Sequence, residues 1–265
     1  MPVLTWINSH RLWTLGTLCL VLVGAAAAFW FFVLRSPGTP VGVQQAIRYY
    51  RQSQRSKSTG PKMTLPPSGV YRYGTSGGES LSIGGITRSF PAVSDLIVTD
   101  GRCATMAWEP LEQHVEEVVE CPLSQGGFGA TTFSSYEEIA GTKTTDRIQC
   151  PADTYFVPPH PFVGEKWHAA CSSTGQHIDL EARIIGKAPI EVGGHPVTAL
   201  HTRVTLDFSG SETGTNPNDY WIDPTDGLIL RQHETVSISQ KAGPLGSVHY
   251  AEQMTIAIDS EVPLR

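Results

Sequence analysis

Acidic residues are missing from the first sixty-two positions of this chain: none of its 25 Asp and Glu precedes Met63. Several catalytic signatures are missing too. There is no C-x-x-C spacing for a four-cysteine metal site, and no H-E-x-x-H or H-x-H that sets two imidazoles on one face. Gly126-Gly127-Phe128-Gly129 lacks the lysine of a phosphate loop, and no G-x-S-x-G nucleophile elbow occurs. After Gln54 no segment keeps a helical period for three turns without a breaker, and no internal repeat is evident. Each absence removes a class of enzyme or fold.

What is present begins with an apolar run from Leu12 to Leu34, flanked by Arg11 and Arg35. At 1.5 Å per residue it spans roughly 34 Å, enough for a hydrocarbon core of about 30 Å. Trp13 at one end, and Phe29, Trp30, Phe31 and Phe32 at the other, suit the interfacial aromatic belt. A cleaved signal peptide is the rival, with Ala25 to Ala28 as the small-residue site. The apolar run continues beyond those alanines, so the reading is an uncleaved single-pass anchor. Cys19 lacks the small preceding residue of a lipidation site and reads as a buried thiol.

Two signals disagree on orientation. Arg35, Arg48 and Arg51 follow the run while Arg11 alone precedes it, which biases the C-terminal side toward the cytoplasm. Cys103, Cys121, Cys150 and Cys171 form an even set in the soluble body, as expected of an oxidising compartment. The cysteines decide, because each sequential pair straddles a turn signal: Pro110 and Glu112 in one case, Pro158-Pro159-His160-Pro161 in the other. Strands leading away from such turns carry their cysteines back opposite each other, so the expected disulfides are Cys103–Cys121 and Cys150–Cys171. Each closed loop is worth on the order of 3 kcal/mol.

The expected domains are a tail over 1–11, a transmembrane helix over 12–34, a juxtamembrane helix and linker over 35–68, and an extracytoplasmic β domain over 69–265. Thr39-Pro40 reads as an N-cap with proline at the first helical position. The helix then runs from Val41 to Gln54, with Val43, Ala46, Ile47 and Tyr50 on one face. Arg48, Arg51, Arg55, Lys57 and Lys62 form a basic stretch that suits either anionic headgroups or a solvated stalk. Ser53 to Ser68 reads as a linker.

Short alternating runs follow: Val70 to Tyr73, Leu96 to Thr99, Val115 to Val119, Ile178 to Ile185, Thr198 to Phe208, Tyr220 to Ile222, Leu228 to Ser239 and Val248 to Ile258. Gly or Pro clusters separate most of them, so the body is expected to be mainly β and antiparallel. From Met63 onward 12 Lys and Arg face 25 Asp and Glu, a formal charge of about −13. Nucleic acid is therefore not a partner, because phosphate neutralisation needs clustered Lys and Arg. Glu109, Glu112, Glu116, Glu117 and Glu120 read as the charged face of an edge hairpin that discourages strand addition.

Three stretches carry a resemblance. They are Pro158 to Trp167, a proline-rich approach to a V-G-x-x-W strand; Ile190 to Val197, a glycine turn before a long strand; and Tyr220 to Arg231, an aromatic strand turning at Asp223-Pro224-Thr225-Asp226-Gly227. Together, over residues 158–258, they resemble the LolA/LppX-like bacterial lipoprotein carriers and related half-barrel domains. The resemblance implies one strongly curved antiparallel sheet, an unclosed barrel whose concave face holds an acyl chain. Val204, Leu206, Phe208, Trp221, Leu228, Leu230, Val236 and Ile238 would line it; the alternative is that they are packed core. A carrier shuttles freely, whereas a retained anchor suits a fixed holder or a subunit of a membrane complex.

His160, His168, His177, His195 and His201 show no ligand spacing, so no metal is expected. Asp219, Asp223 and Asp226 do not match a calcium loop, and Asx turns account for the last two. The expectation is a noncatalytic cell-envelope protein without catalytic residues, metal or cofactor; the second alternative is an enzyme whose site the sequence does not reveal, because catalytic groups converge in space rather than along the chain. Its partners are the membrane and either lipid or another membrane protein.

Overall fold

The computed structural model describes residues 38–53, 65–139, 142–241 and 246–265. The apolar run, Cys19 and most of the basic stalk lie outside them. Among the described residues no helix is long and apolar enough to cross a membrane.

The one α-helix among the described residues, α1 (Val43–Ser53), lies on the outside of a β-barrel. Its Ala46 and Tyr50, with Val41 before it, pack on Val70 and Ile97 of the wall. The apolar face expected from the sequence is the face used. The start differs: Thr39 and Pro40 do not cap the helix but join the wall. Pro40 bridges Leu111, the Glu112 amide donates to the Thr39 carbonyl at 2.8 Å, and the helix begins after Gly42.

The wall is built from β1 (Gly69–Leu81), β2 (Ile86–Ser89), β3 (Val93–Thr99), β4 (Ala104–Leu111), β5 (His114–Pro122), β6 (Phe128–Ile139) and β7 (Thr142–Gln149). It continues through β8 (Tyr155–Val157), β9 (Lys166–Ser173), β10 (Gln176–Val192), β11 (His195–Gly210), β12 (Glu212–Ile222), β13 (Ile229–Lys241) and β14 (Ser247–Ile258). All pairings are antiparallel. The expected unclosed half-barrel is corrected here: β14 pairs with β1 from Tyr73↔Ile258 to Leu81↔Tyr250, closing a barrel of 12 strands. The physical reason lies in residues 69–149, where β1 and β3 to β7 supply the six strands of the ring that the resemblance did not cover. Closure also corrects the edge-hairpin reading, since β4 and β5 have neighbours on both sides.

Alternation sets the two faces. On β10, Ile178, Leu180, Ala182 and Ile184 are buried inward while His177, Asp179, Glu181 and Arg183 are exposed. A barrel with charge outside and an apolar filling is the reverse of a lipid-facing one. One end, with the turns 100–103, 123–127, 193–194 and 223–228, is filled by residues such as Tyr71, Leu96, Met106, Phe156, Leu200, Ile222 and Leu230. The opposite end, with the turns 82–85, 112–113 and 174–175, is filled on much of its circumference by polar groups.

Both disulfides form between the expected partners, Cys103–Cys121 and Cys150–Cys171. The first spans the β4–β5 hairpin as the turn argument requires. The second does not close a hairpin: β8 returns to β6, and Cys150–Cys171 instead sits where β7 meets β9, beside Gln149↔Ser172. That pair is the whole of the β7–β9 ladder.

Candidate functional site

The polar end is assembled from cross-strand neighbours. Glu79 on β1 lies between Arg88 on β2 and Glu252 on β14. His114 on β5 lies opposite Glu137 on β6. Alternation adds Glu116 to the His114 face and Tyr250 to the Glu252 face. All of these side chains point into the barrel, where His114 is 1 % exposed.

The bonding is dense. His114 Nδ1 is 3.0 Å from Glu79 Oε2 and 2.6 Å from Glu137 Oε1. The Arg88 guanidinium takes the other oxygens, Glu79 Oε1 at 2.5 Å and Glu137 Oε2 at 3.3 Å, and donates to the Glu138 carbonyl. The Tyr250 hydroxyl lies 2.6 Å from Glu252 Oε2, 2.9 Å from Glu79 Oε2 and 3.2 Å from Glu137 Oε1. It has one proton for three carboxylates. Phe90 and Trp108 hold the imidazole edge-on, at ring separations of 5.3 and 5.6 Å. Beside this set Asn216 donates to Glu234 Oε1 at 2.7 Å, and Gln232 donates to Glu234 Oε2 at 2.8 Å.

These contacts divide the carboxylates. Burial raises Glu79, but the His114 hydrogen bond, with the charges of His114 and Arg88, outweighs it and holds the group below its ordinary range. Burial raises Glu137 and Glu252 in spite of His114, and raises Glu234 to about 8 with help from Glu116. For His114 burial acts downward, yet Glu252 and Glu137 hold it well above its ordinary value. The cluster is thus a cationic imidazole and guanidinium among carboxyl groups of which some retain their protons.

At the apolar end one carboxyl is alone. Glu120 is fully buried, neither of its oxygens has a hydrogen-bond partner, and burial followed by the charge of Asp226 pushes its pKa well up. It packs on Gly227 of the β12–β13 turn, where an added Cβ would lie 2.2 Å from Glu120 Oε1. In that turn Asp223 accepts from the Thr225 amide and Asp226 from the Leu228 amide, as Asx-turn chemistry requires.

Of the eight proposed lining residues, Val204, Leu206, Leu228 and Leu230 belong to the barrel filling, with Leu228 and Leu230 almost fully enclosed; Phe208 is half-buried against it, Val236 is buried, and Ile238 is half-buried two residues along the same strand face. Trp221 differs from them: it alternates with buried Tyr220 and Ile222, is half-buried at the margin of the core, and stacks on His201 at 4.3 Å with Arg231 over its ring. An open cleft of about 340 Å³ between Pro151, Thr154, Tyr155, Trp167 and Ala169 contains none of the eight. His160, His168, His177 and His195 are exposed and dispersed, and His201 is taken up by Asp219 at 2.7 Å. Asp219 also pairs with Arg203. The histidine that organises a site is His114, and the signal for it was His114, Glu116 and Glu120 in a period of two.

No protein-family description and no curated protein matches the chain. Two crystal structures align over most of it. The hypothetical lipoprotein YmcC from Escherichia coli (K12) is 10% identical, with 79% of this chain and 96% of that chain covered, at a TM-score of 0.31. A "putative lipoprotein" from Parabacteroides distasonis ATCC 8503 is 11% identical, with 76% and 99% covered, at 0.30. Likeness at these scores carries no argument about function.

Proposed function

We propose that this protein is a noncatalytic binding or structural subunit of the bacterial cell envelope, with its barrel on the extracytoplasmic side and Leu12–Leu34 as its single-pass anchor. The observation that carries the reading is the pair of disulfides, one of them at the narrowest link of the ring, since such bonds persist in oxidising compartments. The outward charge of the wall agrees with an aqueous surrounding. The noncatalytic part rests on enclosure: the densest set of titratable side chains has its histidine, Glu79 and Glu252 sealed from solvent.

Two occupants divide the reading. A lipid or other apolar ligand is supported by the common inward face of Val204, Leu206, Phe208, Leu228, Leu230, Val236 and Ile238. Against it, most of these side chains fill the interior themselves, so a ligand would have to displace them; this favours an interaction subunit. The full chain, extracted from membranes in detergent, tests both by thiol counting, native mass spectrometry and lipid extraction. Blocked thiols with a stoichiometric lipid support a lipid holder, blocked thiols without one support the interaction subunit, and free thiols at all four barrel cysteines sink the extracytoplasmic assignment.

A further inference from the structure

We infer that Glu79, His114, Glu137 and Glu252 form a site for one divalent transition-metal cation inside the polar end of the barrel. Each offers a ligand atom, and these four atoms lie within 4.8 Å of one another. Zinc–ligand bonds of about 2.0–2.2 Å put neighbouring ligands roughly 3.4 Å apart in a tetrahedron, so small side-chain rotations suffice. One imidazole nitrogen with three carboxylate oxygens suits zinc, manganese or iron(II); the absence of thiolate disfavours copper(I), and the imidazole disfavours calcium and magnesium.

Unmet bonding capacity points to the same place. Glu252 Oε1 is buried and has no hydrogen-bond partner, while its other oxygen meets Glu79 and Glu137 at the Tyr250 hydroxyl. The single Tyr250 proton cannot serve the three carboxylate oxygens around it. A cation at Nδ1 would take Glu79 Oε2 and Glu137 Oε1, the oxygens that Arg88 leaves turned inward. Arg88 on the outer oxygens, and Glu116 Oε1 at 3.6 Å from His114 Nε2, then act as the outer partners that orient metal ligands. Glu116 and Glu137 are also the least enclosed of the set, with side chains 25% and 16% exposed, and mark the entry route. This goes beyond the cell-envelope reading and does not depend on it.

The test uses the full chain in detergent, stripped with chelator and titrated with Zn²⁺, Mn²⁺ and Co²⁺ by calorimetry and thermal melting. One equivalent of at least one ion is expected to bind and raise the melting midpoint. His114→Ala should abolish that binding, and Glu116→Gln should weaken it roughly tenfold or more with an unchanged circular dichroism spectrum. Should His114→Ala not fold, Glu252→Gln, which keeps the shape, must weaken binding instead. The site is refuted if folded wild-type protein takes up none of the three ions, or if Glu252→Gln and Glu116→Gln both bind as wild type; either result would leave a cluster balanced by protons alone.

Discussion

The two ends of this barrel solve the same packing problem with different chemistry. At one end Tyr71, Met106, Ile222 and Leu230 exclude water and need no partners beyond contact, while one carboxyl, Glu120, is stranded among them. At the other, Glu79, Glu137, Glu252 and Glu234 are carried inward with Arg88, His114, Tyr250 and two amide side chains to meet them. The lesson is that a buried carboxyl is not one kind of object. Its cost depends on whether neighbours supply protons and positive charge.

That contrast can be broken most severely at His114. His114→Leu leaves Glu79, Glu137 and Glu252 short of their shared cation and should cost about 3–5 kcal/mol at neutral pH. Urea melts at pH 5 and pH 7.5 check this; a loss under about 1 kcal/mol at pH 7.5 would mean that Arg88 alone balances the cluster. Next in size, Cys150→Ser should cost on the order of 3 kcal/mol under oxidising conditions, whichever end dominates stability. Wild-type melting of that variant would show that the β7–β9 seam holds without the bond.

The apolar end should respond in the opposite sense. Glu120→Met removes two unpaired buried oxygens and should raise stability by about 1–3 kcal/mol in chemical denaturation, provided the thioether fills the space against Gly227. A destabilised variant would reveal an unrecognised partner for that carboxyl.

The smallest effect is the slope with pH. Glu234 at about 8, Glu109 at about 7 and Asp226 at about 6 all lie above their ordinary values of 4.5, 4.5 and 3.8. The folded state therefore binds more protons than the unfolded one between these limits, and His114, also raised, acts in the same direction. Stability should fall as pH rises from about 5 to 8 in the presence of chelator. Glu79, which is lowered, loses its contribution only as the solution becomes more acidic. Glu234→Gln should flatten part of the slope; melting midpoints that rise across this window would contradict the assignment.

Legibility in the sequence followed the same division. Where the inward face is apolar, as on β10, β11 and β13, period two marked the strands. It failed for β6 and β7, where Ser135, Glu137, Thr144 and Asp146 occupy that face and a bulge between Val119 and Glu120 shifts the phase. Cysteine pairing was readable from turn signals even though β8 intervenes in one loop. The cluster was hidden because its members come from β1, β2, β5, β6 and β14, and no spacing along the chain encodes a meeting across a closed ring. Glu116 and Glu120 were noticed but placed on a free edge that closure abolishes.

The seam gives the ring a preferred place to come apart. Each neighbouring strand pair in the ring shares at least four register pairs except β7 and β9, which share one and a disulfide. Reduction of Cys150–Cys171 would thus turn a sheet with no edges into one with two, and β7, rich in Thr and exposed along most of its length, would be left as an unprotected template for another chain. On this view the bond guards solubility as much as stability, and a reduced population should reveal itself first as self-association.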